Sequence, residues 1–294
     1  MVILFLVLFG LILGSFVNAL IYRFHAQDEI NDRLSGEDGD PKPSAKEAKE
    51  LRAKLKELSM VHGRSMCSKC HHPLAAKDLI PFFSWLFLGG KCRYCKHRIE
   101  DPPIIELVMP AVFVLSYIFW PMELAGYGLV ALIFWLAISV GLVALAAYDF
   151  RWFLLPDRIV WPLVVIALVQ VLLHAFVFDG GVGVLVTAFW GVVIDSGLFF
   201  VLYQVSKGTW IGGGDVKLGI LLGLLAGGVF PAIMIIFGAS LLGTFASVPL
   251  LVHKKLRRKS VIPFGPFLIM AGAIVVLFGQ SLTNLLDRIL LIGL

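Results

Sequence analysis

Long apolar runs repeat along almost the whole chain, separated by polar stretches. Most of them are close to the roughly 20 residues that cross a bilayer as a helix. Eight runs are recognisable, at residues 2–22, 103–120, 125–148, 157–178, 181–205, 216–228, 229–252 and 261–279. The pattern predicts an all-α polytopic membrane protein with about eight transmembrane helices. Residues 216–252 fit least well, because Gly227, Gly228 and Pro231 must separate two short helices.

Composition supports a membrane protein and excludes an ordinary soluble domain. The 294 residues are 59% hydrophobic and only 15% charged, whereas soluble domains carry roughly 25% charged residues. The first run has no basic start and no cleavage site typical of a signal peptide. We therefore expect residues 1–22 to be a retained transmembrane helix with its amino end outside, and the tail 280–294 to follow the interface. The lipid bilayer is an expected partner, and no nucleic acid is expected.

Residues 23–102 form the only long polar segment and are predicted to be a loop between the first and second helices. Its first part, 27–62, contains a capping-box pattern, in which Ser44 caps a helix and Glu47 reaches back to it. Leucines then follow at helical spacing among lysines and glutamates, which indicates an amphipathic helix. This helical insert is either a solvated spacer or a partner-binding helix, and the spacer is favoured.

The four cysteines of the chain all lie in the second part of this segment, residues 64–98. They form two C-x-x-C pairs separated by 21 residues, at Cys67, Cys70, Cys92 and Cys95. This spacing predicts a four-thiolate zinc module, with a redox pair or unrelated thiols as alternatives. Four thiolates close a tetrahedral shell, so the zinc is expected to be structural. The neighbouring His71, His72 and His97 are interpreted as surface residues.

Basic residues predict how the chain crosses the membrane. With the amino end outside, the polar segment and the later loops 149–156, 206–215 and 253–260 share the inner face. Arg288 is the only basic residue near the outer ends. Nine basic residues flank the inner ends besides those of the long segment: Arg151, Arg158, Lys207, Lys217, Lys254, Lys255, Arg257, Arg258 and Lys259. This asymmetry is typical of cytoplasmic loops and predicts that the inner face is cytoplasmic.

Five carboxylates lie in or beside the apolar runs, where an acid is a functional candidate. Asp149 ends the third run, and Asp215 follows a glycine triplet at the start of the sixth, so both are predicted at the cytoplasmic edge. Two carboxylates that share a proton and a water are the minimal machinery of an aspartic protease. Asp157 is better explained as a helix-end cap and Asp195 as a contact between helices. Glu106 opens the second run.

An alternative for Asp149 is an ion pair with Arg151 or Arg158 at the interface, and from the residues alone the two interpretations are equally weighted. The helix dipole favours the charged form of Asp215 at a helix amino end and disfavours that of Asp149 at a carboxyl end. The ionised Asp215 would then be the base and the protonated Asp149 the acid, although such a pair titrates as a unit.

Taken in order, the motifs resemble the type IV prepilin peptidases, bifunctional leader peptidases and N-methyltransferases of pilus and type II secretion systems. The resemblance covers nearly the whole chain. Its motifs are Gly14-Ser15-Phe16-Val17-Asn18 with Tyr22-Arg23, the two cysteine pairs, Ile80 to Leu86, Asp149 with Leu154-Leu155-Pro156-Asp157, the GxGD motif Gly212-Gly213-Gly214-Asp215, and Ile262 to Phe267.

The resemblance implies a membrane aspartyl peptidase domain over 103–294, with Asp149 and Asp215 as catalytic residues. It also implies cleavage of the basic leader of prepilins or pseudopilins at the cytoplasmic face of the bacterial inner membrane. The new amino terminus would then be methylated from S-adenosylmethionine. From its position at the start of the second run, Glu106 is the candidate acid for accepting a proton from the amine, with attraction to the positive end of its helix as the alternative. The run 99–103 lacks the family's arginine and tyrosine, which leaves a peptidase without methyltransferase as an alternative.

A different class of function is also compatible with buried acids. A proton-coupled transporter would relay protons through Asp149, Asp195 and Asp215, with the zinc module as a regulatory loop. Transporters place such acids near the bilayer midplane, whereas two of these three are predicted at its inner edge. Peptidase is therefore the favoured interpretation.

Overall fold

The computed structural model describes residues 1–36, 43–59, 63, 65–67, 69–70, 72–99, 102–252 and 262–292, without side chains at 249–252 and 284–292. The basic cluster at 254–259, His71 and residue 64 therefore lie outside the described residues, as does the side chain of Arg288. The described helices are α1 Val2–Ser35, α2 Ala45–Glu57, α3 Phe83–Phe87, α4 Ile104–Ile118, α5 Gly126–Trp152, α6 Asp157–Phe176, α7 Gly181–Ser206, α8 Gly213–Ala226, α9 Val229–Val252 and α10 Gly265–Ile292.

The all-α prediction is confirmed for the described residues, which contain no strand beyond two isolated β-bridges. Each predicted apolar run coincides with a helix, but only α1, α5, α6, α7, α9 and α10 are long and apolar enough to cross a membrane. Helices α4 and α8 have 15 and 14 residues, or roughly 22 Å of length against about 30 Å of hydrocarbon. The structure therefore supports six candidate spans, and eight spans remain a prediction.

Helix α1 is longer than the predicted first span, because it continues past residue 22 as a polar helix. It ends where Gly36 adopts a left-handed conformation and donates its N–H to the Asp32 carbonyl. In this extension the Arg23 guanidinium donates to the carbonyls of Ser59 and Gly63, at 3.1 and 2.9 Å. The residues that follow α2 are thereby fastened to α1.

The predicted capping box at the start of α2 is present. The Glu47 N–H donates to the Ser44 hydroxyl, and the Glu47 carboxylate accepts from the Ser44 N–H at 2.9 Å. The helix buries no residue within the described chain, which agrees with a solvated spacer.

The chain divides into two compact units, Met1–Val114 and Leu115–Leu294. The division falls inside α4, whose first turns pack against α1. A Cβ on Gly14 would lie 2.7 Å from the Glu106 Cα, and one on Gly10 would lie 2.6 Å from the Pro110 Cα. Only glycine permits this close approach of two helix backbones.

In the second unit, α7 and α8 pack along a line of small residues. A Cβ on Gly219 would lie 2.9 Å from the Ser196 Cα, and one on Gly223 would lie 2.5 Å from the Val192 Cα. The Ser196 hydroxyl also donates to the Val216 carbonyl at 2.9 Å. Helix packing in a bilayer depends on such close contacts, since lipid supplies little hydrophobic driving force. The first turn of α8, which carries Asp215, is therefore held firmly.

Candidate active site and metal centre

Asp149 and Asp215 come together from opposite ends of their helices. Asp149 lies in the last turn of α5 and is buried, while Asp215 lies in the first turn of α8 and is partly exposed. The charge of Asp149 acts on the carboxyl group of Asp215, so the two groups lie within electrostatic range of each other. The Asp149 carboxylate lies against the backbone of Gly265, and that of Asp215 lies near the backbone of Gly212. Two carboxyl groups in this arrangement can share a proton and bind a water molecule.

Two glycines make this approach possible, both packed against Leu155 in the loop between α5 and α6. A Cβ on Gly214 would lie 2.9 Å from the Leu155 Cβ, and one on Gly265 would lie 2.5 Å from a carboxylate oxygen of Asp149. A Cβ on Gly213 would meet nothing nearer than 3.8 Å. Of Gly213 and Gly214, the latter is therefore the one at which a side chain would clash with its surroundings.

Gly265 was part of the late motif in the sequence, but the residues alone gave it no role. Its contact with Asp149 joins positions that are more than a hundred residues apart in the chain. No local sequence signal reports such a contact.

Asp157 is the first residue of α6, which agrees with its predicted place at a helix amino end, and the N-cap position itself is Pro156. Its two carboxylate oxygens accept from the Lys217 ammonium at 2.6 and 2.8 Å. This ion pair joins the start of α6 to the first turn of α8, two residues beyond Asp215. Sequence reasoning missed it because the partners are 60 residues apart.

Asp195 is fully buried on α7, next to Gly219 of α8. The predicted polar contact between helices is not seen, because neither carboxylate oxygen has a hydrogen-bond partner among the described residues. The structure therefore gives no reason to include Asp195 in the pair formed by Asp149 and Asp215.

The four cysteines meet in one cluster, as their spacing predicts. Their sulfur atoms all lie within 4.8 Å of one another, and Cys67 Sγ is 3.8 Å from Cys95 Sγ. Tetrahedral zinc with Zn–S bonds of about 2.3 Å requires sulfurs roughly 3.8 Å apart. The residues present therefore fit a zinc ion.

The described residues of 65–74 and 90–99 form two equivalent hairpins, which carry the cysteine pairs at an offset of 25 residues. Cys67 N–H donates to the His72 carbonyl at 3.1 Å, and Cys92 N–H donates to the His97 carbonyl at 2.8 Å. The antiparallel bridge between Met66 and Pro73 likewise corresponds to the bridge between Lys91 and Arg98. Each hairpin thus presents two sulfurs in the same way, and a metal bound to all four would join the two hairpins. We call residues 65–99 the zinc module.

Asp78 fixes the second hairpin to the turn at 75–78. Its carboxylate accepts from the Arg93 guanidinium at 2.5 Å, the Tyr94 hydroxyl at 3.1 Å and the Ala75 N–H at 3.2 Å. The Arg93 contact holds the pKa of Asp78 below its ordinary value. This stabilisation is complete above the ordinary pKa of an aspartate, about 4, and is lost as the pH falls below it.

Glu106 is buried in the first turn of α4, and its carboxylate accepts the N–H of Phe82. Phe82 has a positive φ of 61°, a conformation that needs support from its surroundings. Glu106 therefore has a defined structural partner, beyond its general attraction to the amino end of a helix.

For the zinc module, we predict one tightly held zinc ion per chain, measured by elemental analysis of the purified protein. The Cys67→Ser/Cys92→Ser variant should lose the metal, because removing two thiolates destroys the tetrahedral shell. His72→Gln and His97→Gln are matched controls that should retain it. Zinc retained by the double cysteine variant, or lost from a histidine variant, would contradict a four-cysteine site.

For the ion pair, we predict that Asp157→Lys and Lys217→Asp each lower any catalytic activity that depends on Asp149 and Asp215 about tenfold or more. An exposed ion pair contributes less than about 1 kcal/mol to stability, but a small displacement of reacting groups is costly. The double charge swap should recover most of the rate at unchanged zinc content. Equal loss in the double swap and the single variants would show that the pair does not position α8.

Comparison with known proteins gives a consistent result along the chain. Residues 8–120 match the model described as the bacterial peptidase A24 N-terminal domain. Residues 136–248 match that of the type IV leader peptidase family. No solved structure matches the chain.

Curated relatives cover nearly the full length of both chains. The chain is 32% identical to a prepilin leader peptidase/N-methyltransferase of Aeromonas hydrophila, over 94% of this chain and 91% of the relative. It is 30% identical to one of Pseudomonas aeruginosa, over 95% and 91%. A type 4 prepilin-like proteins leader peptide-processing enzyme of Escherichia coli is 29% identical over 93% and 92%. With the paired acids and the cysteine cluster, this similarity shows that the chain belongs to the type IV leader peptidase family.

Proposed function

We propose that this protein removes the basic leader of type IV prepilins or pseudopilins and then methylates the new amino terminus. The single observation that carries the peptidase is the pairing of Asp149 and Asp215 at the ends of α5 and α8. The names of the relatives supply the substrate class and the second activity.

In the proposed mechanism, Asp149 and Asp215 share one proton and hold a water molecule between them. The ionised acid removes a proton from the water as it attacks the scissile carbonyl carbon. The other acid donates its proton to the carbonyl oxygen, which gives a neutral tetrahedral intermediate. The close packing of Gly265 on Asp149 and of Gly214 on Leu155 holds the two acids in position. Return of a proton to the leaving amine completes the cleavage.

The location of the acids favours a peptidase over a transporter. Both lie in the terminal turns of their helices, where a polar leader reaches them while the hydrophobic segment of the substrate stays in the bilayer. We propose that this end faces the cytoplasm of a bacterium, that the protein lies in the inner membrane, and that its amino end is outside. The basic residues described above support this orientation.

For the second activity, S-adenosylmethionine supplies the methyl group and the protein positions the uncharged amine against it. The amine must lose a proton, and Glu106 is the proposed acceptor. The zinc ion has a closed shell and is proposed to be structural.

We predict that Asp149→Asn and Asp215→Asn each reduce cleavage about 10²–10⁴-fold, because asparagine cannot exchange the proton. Cleavage is measured by the mass of the amino terminus of a purified prepilin incubated with the purified protein. Asp179→Asn is the control, an exposed acid at the opposite end of the second unit with a positive φ of 55°, which asparagine tolerates. Near-normal cleavage by either dyad variant would remove that residue from the mechanism.

Glu106→Gln tests the second activity, because glutamine can still accept the Phe82 N–H but cannot take up a proton. We predict that methylation falls at least about tenfold while cleavage persists, measured as separate mass changes on the same substrate. Glu106→Ala removes both properties, so its difference from Glu106→Gln measures the structural effect of losing the Phe82 hydrogen bond. If Glu106→Gln methylates normally, Glu106 is only a structural acceptor. A wild type that cleaves without methylating would indicate a peptidase alone.

A further inference from the structure

The zinc module contains an uncharged stretch at residues 79–90, which we call the apolar segment. Asp78 and Lys91 directly flank it, and no residue within it is charged. Its exposed large apolar side chains are those of Leu79, Ile80, Phe83, Leu86 and Phe87. A stretch of roughly 10–14 such residues is more often a buried core helix or an interfacial membrane segment than a full membrane span. The exposure of these side chains excludes the buried helix.

The contact between α1 and α4 shows how deep this part of the chain lies. The apolar run of α1 ends at Tyr22. The first turn of α4 lies against Gly14, where a Cβ would come within 2.7 Å of the Glu106 Cα. Gly14 precedes Tyr22 by eight residues, or roughly 12 Å of helix. Helix α4 therefore begins inside the span of α1, and the side chains of Phe16 and Ile104, exposed at this level, are apolar.

Glu106 fixes the apolar segment at this depth, because its carboxylate accepts the N–H of Phe82. A helical side chain leans toward the amino end of its helix, which here is toward the level of Tyr22. A glutamate side chain is shorter than the distance that remains, so Phe82 lies within the apolar depth of α1. Ile80 and Phe83, on either side of it, are exposed. An exposed side chain at this depth contacts acyl chains rather than water.

The backbone of the apolar segment is arranged as a lipid environment requires. Hydrocarbon offers no hydrogen bonds, so backbone groups within it need partners in the protein. Donors to carbonyls of the same segment are the N–H groups of Ser84, Leu86, Leu88, Gly89 and Gly90. The Phe82 N–H precedes α3, and Glu106 is its acceptor. A segment on a solvated loop has no need of a buried acid for this purpose, since water can accept the bond.

We propose that the apolar segment enters the bilayer leaflet in which the apolar run of α1 ends, with its exposed side chains among the acyl chains. The partner is therefore lipid. Exposed cations that flank the segment are Lys77, Lys91 and Arg98, and at the headgroup level they suit acidic phospholipids. The zinc module is thus anchored to the membrane surface by its own chain. This inference does not depend on the proposed activities.

The test uses the full-length protein in nanodiscs with Phe87→p-benzoylphenylalanine, a photoreactive residue that bonds to nearby C–H groups. Phe87 is chosen because it exposes 83% of its surface. Irradiation should give an adduct with phospholipid acyl chains, identified by tandem mass spectrometry, as abundant as that from the same substitution at Phe16. Lys49 in the polar helix α2 is the control position. Its lipid adduct should be at least about tenfold weaker, since a polar helix stays out of the acyl region.

The same experiment identifies any other occupant of this surface, when it is repeated with purified prepilin present. A cross-link from position 87 to prepilin in place of lipid would show that the surface binds substrate. A cross-link to a second copy, or within the same chain, would show that protein covers it. An adduct confined to headgroups would place the segment outside the acyl region. Each of these results, or a lipid adduct at position 16 without one at 87, would overturn the proposal. Unchanged zinc content verifies that the variants are folded.

Discussion

In the second unit, the close approach of Asp149 and Asp215 depends on the packing of Leu155 against two glycines. Leu155 lies over Gly214 in the first turn of α8, and its side chain also reaches Gly265 at the start of α10. These contacts connect the loop after α5 with the first turn of α8 and the start of α10. Helix α5 carries Asp149, α8 carries Asp215, and Gly265 of α10 lies against Asp149. Two acids in a largely apolar environment repel each other and tend to separate. Packing that leaves no room for a Cβ opposes this separation, since moving either helix would open a void.

Much of this architecture could be predicted from local patterns. The apolar runs located the helices, the Ser44 and Glu47 pattern located a capping box, and the cysteine spacing located the cluster. Each of these signals lies within one segment of the chain. Hydropathy identifies the part of a helix that can be buried in a membrane. The pattern therefore did not show that α1 continues past residue 22 as a polar helix to Ser35.

What could not be predicted depends on distant pairs. Asp157 looked like a cap because the residue before it is proline and it begins a helix, while Lys217 is 60 residues away. The contact of Gly265 with Asp149 and that of Glu106 with Phe82 are of the same kind. The number of spans was uncertain for another reason, since α4 and α8 are apolar but short. Their position relative to a bilayer depends on neighbouring helices more than on their own sequences.

The paired hairpins of the zinc module have a consequence for how this part of the chain matures. Each hairpin contributes two sulfurs, so neither half can complete a tetrahedral shell alone. A metal bound by the first pair alone would stay exchangeable until the second pair, about 25 residues later, had been made. A metal bound by all four sulfurs would close the intervening loop, and its bonds would offset the entropic cost of that closure. Folding of the segment before α4 would then depend on synthesis of both hairpins.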